Sequence, residues 1–379
     1  MTLELGVLNQ QVQTMARSLA GQREEYGQRL ERLQAVFRSR AADLEGLRDL
    51  AISARGTGWQ GAIPTEPLDA THPLPPCPAA MVICAADGSQ IEVDRHGIAM
   101  YYLINLGSIV YCHGSGAAPT VRSEPTLFYR EDELYEDGRL VQGNRLDSKR
   151  SVMELAKLAE LASPGTTEPS LALVDGSLLL WVLEESRPEV REELVSRYLR
   201  QLDRLAQARG PVAGYLSRPR HHDVVSLLEL AERGPDATAQ ERRLPFPPDR
   251  ALFEHLLPGE RTGLFIAGTQ TNDMYGHHRV HFFYLNTGAE IARVEVPQWV
   301  AQDQGLMDDV HAGIFEQCRA TGYPYVLARA HELAVVAGAD RDEFERMVMA
   351  ALLGQGLGVS PSMKAWLKEL TGGRRSRRR

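Results

Sequence analysis

Apolar residues recur through the first fifty positions at Val12, Met15, Leu19, Tyr26, Leu30, Leu33, Phe37, Leu44, Leu47 and Ala51, separated by threes, fours and sevens on a polar background. That spacing predicts one long helix, or a helical hairpin broken near Gly21 or Gly27, within a helical region over 1–55. So long an apolar stripe needs cover, from its own domain, a second subunit or a partner. The next stretch, GTGWQGAIPTEPLDATHPLPPCPAA (56–80), is too rich in Gly and Pro to hold a helix and reads as an extended linker.

From Met81 the pattern becomes one of short apolar runs alternating with helical stripes. MVICAADGSQ reads as a strand running into a turn at Asp87-Gly88-Ser89, and IAMYYLIN and SIVYCH read as an antiparallel pair parted at Gly107. In SVMELAKLAEL, Leu155, Leu158 and Leu161 fall at helical spacing, with Ser151 or Asp147 as a cap and Ser163-Pro164-Gly165 as the stop. SLALVDGSLLL is a second strand carrying the same Asp-Gly-Ser, at Asp175. A helix (189–208), a strand (Val212 to Leu216), a helix (223–232) and a long irregular insertion (233–261) follow. RVHFFYLN and EIARVEVP form a hairpin across Thr287-Gly288, and helices are expected over 299–321, 331–336 and 341–353. The alternation predicts an α/β domain over 81–355, its sheet covered by helices on both faces, and a C-terminal segment over 356–379.

Composition narrows the class only a little. At 43% hydrophobic and 24% charged the chain is ordinary for a globular protein, and no window approaches the roughly 18 consecutive apolar residues of a membrane span. The opening MTLELGVLNQQ places Glu4 where a secretory signal has basic residues. Cys77, Cys84, Cys112 and Cys318 are scattered without a CxxC pair, which argues against a zinc ribbon or a disulfide framework and fits a cytoplasmic protein. The net charge of −8 speaks against broad nucleic-acid binding, but a carboxylate-rich metal site starts acidic and can confine its basic groups to a channel. Arg218, Arg220, His221 and His222 crowd one stretch, and the tail ends RRSRRR, either a solubilising arm or one that contacts DNA.

Three acidic residues stand out by position: Asp87 and Asp175 at the ends of strands and Glu154 inside the helix between them. Carboxylates converging in this way repel one another unless cations neutralise them, and hard oxygen ligands select Mg²⁺ or Mn²⁺. Two such ions about 3.5–4 Å apart can activate a water and stabilise the leaving oxygen of a phosphodiester. Each residue also has an ordinary reading: Asp-Gly-Ser is a common turn, Glu154 can be a solvated helix residue, and Glu160 is a rival on the same helix. Downstream, GYPYVLARAHELAVV places Tyr323 and His331 eight residues apart, and a neutral imidazole can bind a metal or relay a proton. The His-rich run from Tyr275 to His281 is a competing metal site that spacing alone does not exclude.

Taken in order, the strand ending Asp87-Gly88-Ser89, the helix Glu154, the strand ending at Asp175, and Tyr323-Pro324 followed by His331 resemble the NurA family, nucleases that work with HerA-type ATPases in DNA end resection. The resemblance runs from about Met81 to Val336. It implies an RNase H-like mixed sheet flanked by helices, with the N-terminal helices as an extension, and a Mn²⁺- or Mg²⁺-dependent deoxyribonuclease with two ions. It further implies a homodimer docked on a hexameric HerA translocase in double-strand break repair. On that resemblance Asp87, Glu154 and Asp175 match the acidic metal ligands, Tyr323 and His331 the later site residues, and Arg218 or Arg220 a residue facing DNA. The alternative is a non-catalytic DNA clamp or assembly factor on a ring ATPase, which the presence of all five site residues disfavours. Action on RNA shares the same metal chemistry and is open on sequence grounds.

Overall fold

The computed structural model describes residues 4–95, 97, 99–136, 138–162, 168–180, 188–234 and 247–357. The RRSRRR tail, the Ser163-Pro164-Gly165 stop and the middle of the 233–261 insertion lie outside these residues. Chain contacts divide the molecule into two units, one of Met1–Pro78, Asp175–Leu179 and Pro211–Pro324, the other of Ala79–Val174, Leu180–Gly210 and Tyr325–Arg379. No helix among the described residues is long and apolar enough to cross a membrane.

In the first unit the N-terminal stripe folds as a helix, Leu5–Arg40, that passes through Gly21 and Gly27 without a break. The chain turns instead just after Arg40, where Asp43 caps the helix Leu44–Arg55 by accepting from the Gly46 N–H at 3.2 Å. Only the later part of the stripe is covered. Leu33, Phe37, Leu47, Ala51 and Ala54 are buried, with the helix Asp223–Arg233 packed on both N-terminal helices and the turn Asp249–Leu252 on the first, whereas Leu5, Leu8, Val12, Met15 and Leu19 are exposed. The Gly/Pro-rich stretch is extended but not a free tether. It supplies the strands Ala62–Pro64 and Thr71–His72, antiparallel to Phe265–Ala267 and Arg261–Thr262, and buries Ile63 and Leu68. The hairpin Val280–Asn286/Ile291–Pro297 turns at Thr287-Gly288 as its sequence predicts, with Gly288 at φ 88°, and Val212–Leu216 joins it antiparallel.

The second unit is built on three antiparallel strands, Met81–Ile91, Tyr102–His113 and Thr120–Phe128. The helix Asn144–Leu161 then crosses to the strand Ser170–Asp175, which lies parallel to Met81–Ile91. An antiparallel meander with a helical crossover to a parallel strand beside its first member is the mixed, RNase H-like arrangement expected. Two glycines read as breakers do not break strands. Met81–Ile91 continues through Asp87-Gly88-Ser89, so Asp87 lies inside a strand, and Tyr102–His113 is one strand through Gly107. Both glycines give clearance to helices. A Cβ at Gly107 would meet the Ala330 carbonyl oxygen at 2.3 Å and the Ala334 nitrogen at 2.4 Å, both in the helix Tyr325–Ala334, and one at Gly88 would meet Arg150 and Glu154 at 2.7 Å. The helix Asn144–Leu161 also starts earlier than its stripe suggests, after Gly143. Ser151 and Asp147 are therefore not caps: Ser151 Oγ donates to the Asp147 carbonyl at 3.1 Å, and the Asp147 carboxylate accepts from Gln90 at 3.0 Å.

Candidate active site

The strand Met81–Ile91 organises the second unit's part of the site, because side chains alternate between its faces. Asp87 is paired in register with Gly107, and directly opposed residues of an antiparallel ladder share a face. Asp87 and Ser89 therefore look toward the helix Tyr325–Ala334. Asp87 Oδ2 lies 2.7 Å from His331 Nδ1. The helix end that carries His331 is fixed by side chains of the strands beneath it. Ser89 Oγ donates to the Ala334 carbonyl at 2.5 Å, and Asn105 Nδ2 donates to the carbonyls of Ala334 at 2.8 Å and Leu333 at 3.2 Å. These satisfy carbonyls that a helix C-terminus leaves unbonded. His331 keeps 63% of its side chain exposed against 19% for Asp87, so the imidazole reaches solvent while the carboxylate orients it. With Nδ1–H donated to Asp87, Nε2 of the neutral ring is free of its proton and can accept one or ligate a metal.

Glu154 approaches the same strand from the opposite face, up against the backbone at Gly88. Its side chain is only 15% exposed, and Arg150, one turn earlier on the helix, lies 3.2 Å from its Oε1. Burial pushes the Glu154 carboxyl up to about 8, opposed by the Arg150 charge and reinforced by the charge of Asp87. Arg150 is divided among several partners, since Gln90 Oε1 lies at 3.1 Å and Asp147 Oδ1 at 3.6 Å. Glu160, the rival on this helix, is 62% exposed and is paired with Lys157. The two acids thus separate as their spacing on the helix predicts. Asp87 and Glu154 stand on opposite faces of the strand, so the structure does not bring their oxygens together on one face, and each offers the hard carboxylate oxygen that Mn²⁺ or Mg²⁺ takes.

The remaining expected site residues belong to the first unit. Asp175, exposed, ends its strand, and the segment after it is held closely. Glu295 Oε2 accepts from Ser177 Oγ at 2.7 Å and from the Leu178 N–H at 2.9 Å, Gly176 N–H donates to the Tyr215 carbonyl at 2.9 Å, and the Tyr275 hydroxyl donates to the Leu178 carbonyl at 3.0 Å. Tyr323 sets its ring edge-on to Tyr215, with 5.4 Å between centroids. Arg218 and Arg220 are both exposed after Val212–Leu216. Arg218 takes a left-handed backbone, φ 42°, stabilised by Glu290, which accepts from its N–H and from Ser217 Oγ, each at 2.9 Å. In the His-rich run, His277 and His278 place their rings 4.0 Å apart, while His281 Nδ1 turns to the Arg279 carbonyl at 3.1 Å.

Sequence reasoning overlooked Arg150, whose i,i+4 spacing to Glu154 was the available signal, and also Ser89, Asn105 and Glu295, which act through pairings distant in sequence.

The fold and this arrangement define an RNase H-like α/β protein with a carboxylate–imidazole pair on one face of a strand and a buried helix carboxyl packed against its other face. The NurA domain matches residues 81–336, and the chain belongs to the NurA family. Among solved structures it is similar to the NurA nuclease from Sulfolobus solfataricus, at 11% identity over 91% of this chain and 98% of that one, with a TM-score of 0.50. A NurA bound to dAMP and manganese (12% identity, 82% of this chain and 94% of that one, TM-score 0.38) and a NurA with manganese (10% identity, 86% and 98%, TM-score 0.38) also match. At such identity the likeness to the Sulfolobus protein is one of fold. No curated protein sequence matches the chain.

Proposed function

We propose that this chain is a Mn²⁺- or Mg²⁺-dependent DNA nuclease of the two-metal-ion type. The observation that carries the reading is Glu154, a carboxyl buried against Gly88 on the strand that also carries the Asp87–His331 pair on its other face, in a member of the NurA family. By that membership Asp87, Glu154 and Asp175 would be the carboxylates that hold the metal, with His331 completing the set. The bound ions supply Lewis acidity to the scissile phosphate and lower the pKa of an attacking water. The protein's own part is positional. Asp87 fixes the His331 ring and tautomer, and Ser89 and Asn105 fix the helix that carries it. Glu295 holds the segment that follows Asp175, and Tyr323 orients substrate. Arg218 and Arg220 contact the DNA backbone, contributing affinity that falls with salt.

In its working form the chain is a cytoplasmic homodimer that acts with a HerA-type hexameric ATPase in end resection and double-strand break repair, with both exonuclease and endonuclease action. The test is digestion of end-labelled single- and double-stranded DNA with Mn²⁺, Mg²⁺ or EDTA, with and without a HerA-type partner. Metal-dependent cleavage that EDTA abolishes is expected, extending to long duplexes when the ATPase is present. A folded protein that binds DNA yet cleaves none under any of these conditions rejects the nuclease and leaves the clamp.

A further inference from the structure

The first unit holds a pocket of about 340 Å³, lined in part by Arg48, Arg279, His281, Gln298 and Gln302, that the proposed chemistry does not use. Its lining contains no Asp or Glu. Among the described residues, Arg48 and the side-chain amides of Gln298 and Gln302 have no hydrogen-bond or ion-pair partner. Arg279 is the strongest sign. Its Nε is buried without a hydrogen-bond partner, and its one ion pair, to Asp273, is loose at 3.6 Å. Asp273 is moreover already engaged by Arg55, so two guanidiniums share that carboxylate. The backbone of Arg279 is anchored, because His281 Nδ1 lies 3.1 Å from its carbonyl oxygen.

A buried donor without an acceptor costs free energy, as at Arg279 Nε, and the loose pairing of the rest of that guanidinium, on a side chain 38% exposed, adds a second, smaller cost. A ligand that removes both costs is an anion with several acceptor oxygens. Guanidiniums present their donors in a planar fork that matches phosphate oxygens. The volume lies near the lower end of the roughly 300–1,000 Å³ typical of small-molecule pockets, enough for a phosphate with its sugar. We propose that this pocket binds a phosphate group, carried by a nucleic-acid strand or by a free nucleotide, through Arg48 and Arg279, with the amides of Gln298 and Gln302 donating to its remaining oxygens. The site belongs to neither the carboxylate cluster nor Arg218 and Arg220, and it stands whether or not the chain cleaves DNA.

The test uses the full chain in EDTA, so that nothing is hydrolysed. Binding of a labelled single-stranded 20-mer is followed by anisotropy, and binding of thymidine monophosphate and of inorganic phosphate by calorimetry. Arg48→Glu and Gln302→Glu change exposed side chains without removing an internal contact, and circular dichroism confirms their fold. Each is expected to weaken binding at least tenfold, while Gln302→Lys tightens it several-fold, a gain that misfolding does not produce. On a strand, Arg48→Gln also lowers the salt slope by about 0.7, the value for one lost phosphate contact on a single strand. If the 20-mer responds to these changes and the monophosphate binds too weakly to detect, the pocket serves a strand. If the monophosphate binds one per chain with the same dependence and the 20-mer does not respond, it serves a free nucleotide. Affinities for all three probes that are the same in wild type and every variant overturn the proposal.

Discussion

Both units bury carboxylates, and they do so in opposite ways. On the strand Ile291–Pro297, Arg293 is 1% exposed and holds Asp223 at 2.6 Å and Glu295 at 2.9 Å, with its guanidinium 3.5 Å from the centre of the Phe282 ring. Glu295 accepts two further hydrogen bonds, from Ser177 and Leu178, so a cation and hydrogen-bond donors of the protein itself meet the demand of the buried charge. Glu154 is 15% exposed and has one shared guanidinium and a hydrogen bond from the Gly88 N–H, and its carboxyl is still pushed up to about 8. A buried carboxylate is therefore not in itself the sign of a site. Glu154 differs in that its buried carboxyl sits beside a second acid, Asp87, and the imidazole paired with it.

The largest effect that separates the two regions is expected at Asp87. Asp87→Asn should lower metal-dependent cleavage by roughly 10³-fold or more, about 4 kcal/mol of barrier, and leave the denaturation midpoint almost unmoved. Near-normal cleavage by the folded variant removes Asp87 from the site. Breaking the other region does the reverse. Arg293→Met leaves Asp223 and Glu295 facing each other without their cation and should destabilise the first unit by about 3–5 kcal/mol in urea denaturation. An unchanged midpoint would show that the network contributes little.

Next in size is the contrast between Glu154 and Glu160. Glu154→Gln should lower cleavage by roughly 10²-fold, and Glu160→Gln, exposed and paired with Lys157, should change it by no more than about twofold. If the pattern reverses, the helix has been read with the wrong face inward. The raised carboxyl also sets a pH dependence in the metal-free protein. Between its ordinary value of 4.5 and about 8 the folded state holds a proton that the unfolded state has lost, so this contribution to stability is complete below pH 4.5 and disappears as pH rises toward 8. Metal-free wild type should lose stability on going from pH 5.5 to 8.5, and Glu154→Gln should lose less. Equal slopes would count against the desolvated acid. His311 in the first unit has the opposite sign. Burial lowers it to about 4, so its contribution is present above 6.5 and lost as pH falls. The smallest effect is at Asn105. Asn105→Ala leaves the Leu333 carbonyl without its side-chain donor and the Ala334 carbonyl with Ser89 alone, and should cost about 1–2 kcal/mol in stability and roughly tenfold in cleavage.

Sequence legibility followed the same division. The hairpin over 280–297, Val212–Leu216 and Asp223–Arg233 were readable because their apolar periods and turn residues are local. The strands through Gly88 and Gly107 were not, because in sequence a glycine that admits a helix looks the same as one that ends a strand. The N-terminal stripe showed a helix but not which half is covered. Burial of Leu33, Phe37, Leu47 and Ala51 makes residues 26–55 part of the first unit's core, so a deletion of 1–55 removes packing that a deletion of 1–22 spares. At the site, the ordered acids and His331 were legible as types at their spacing. Arg150 left only its i,i+4 spacing to Glu154 as a signal, and Glu295 left none, since its partners Ser177 and Leu178 are distant in sequence.

Manganese binding to the full chain, measured by calorimetry on wild type, Asp87→Asn, Glu154→Gln, Asp175→Asn and Glu160→Gln, tests the central claim most directly. Saturable binding in wild type and Glu160→Gln, weakened at least tenfold in the other three while their circular dichroism is unchanged, is the predicted result. Wild-type affinity in folded Asp87→Asn and Glu154→Gln would contradict it.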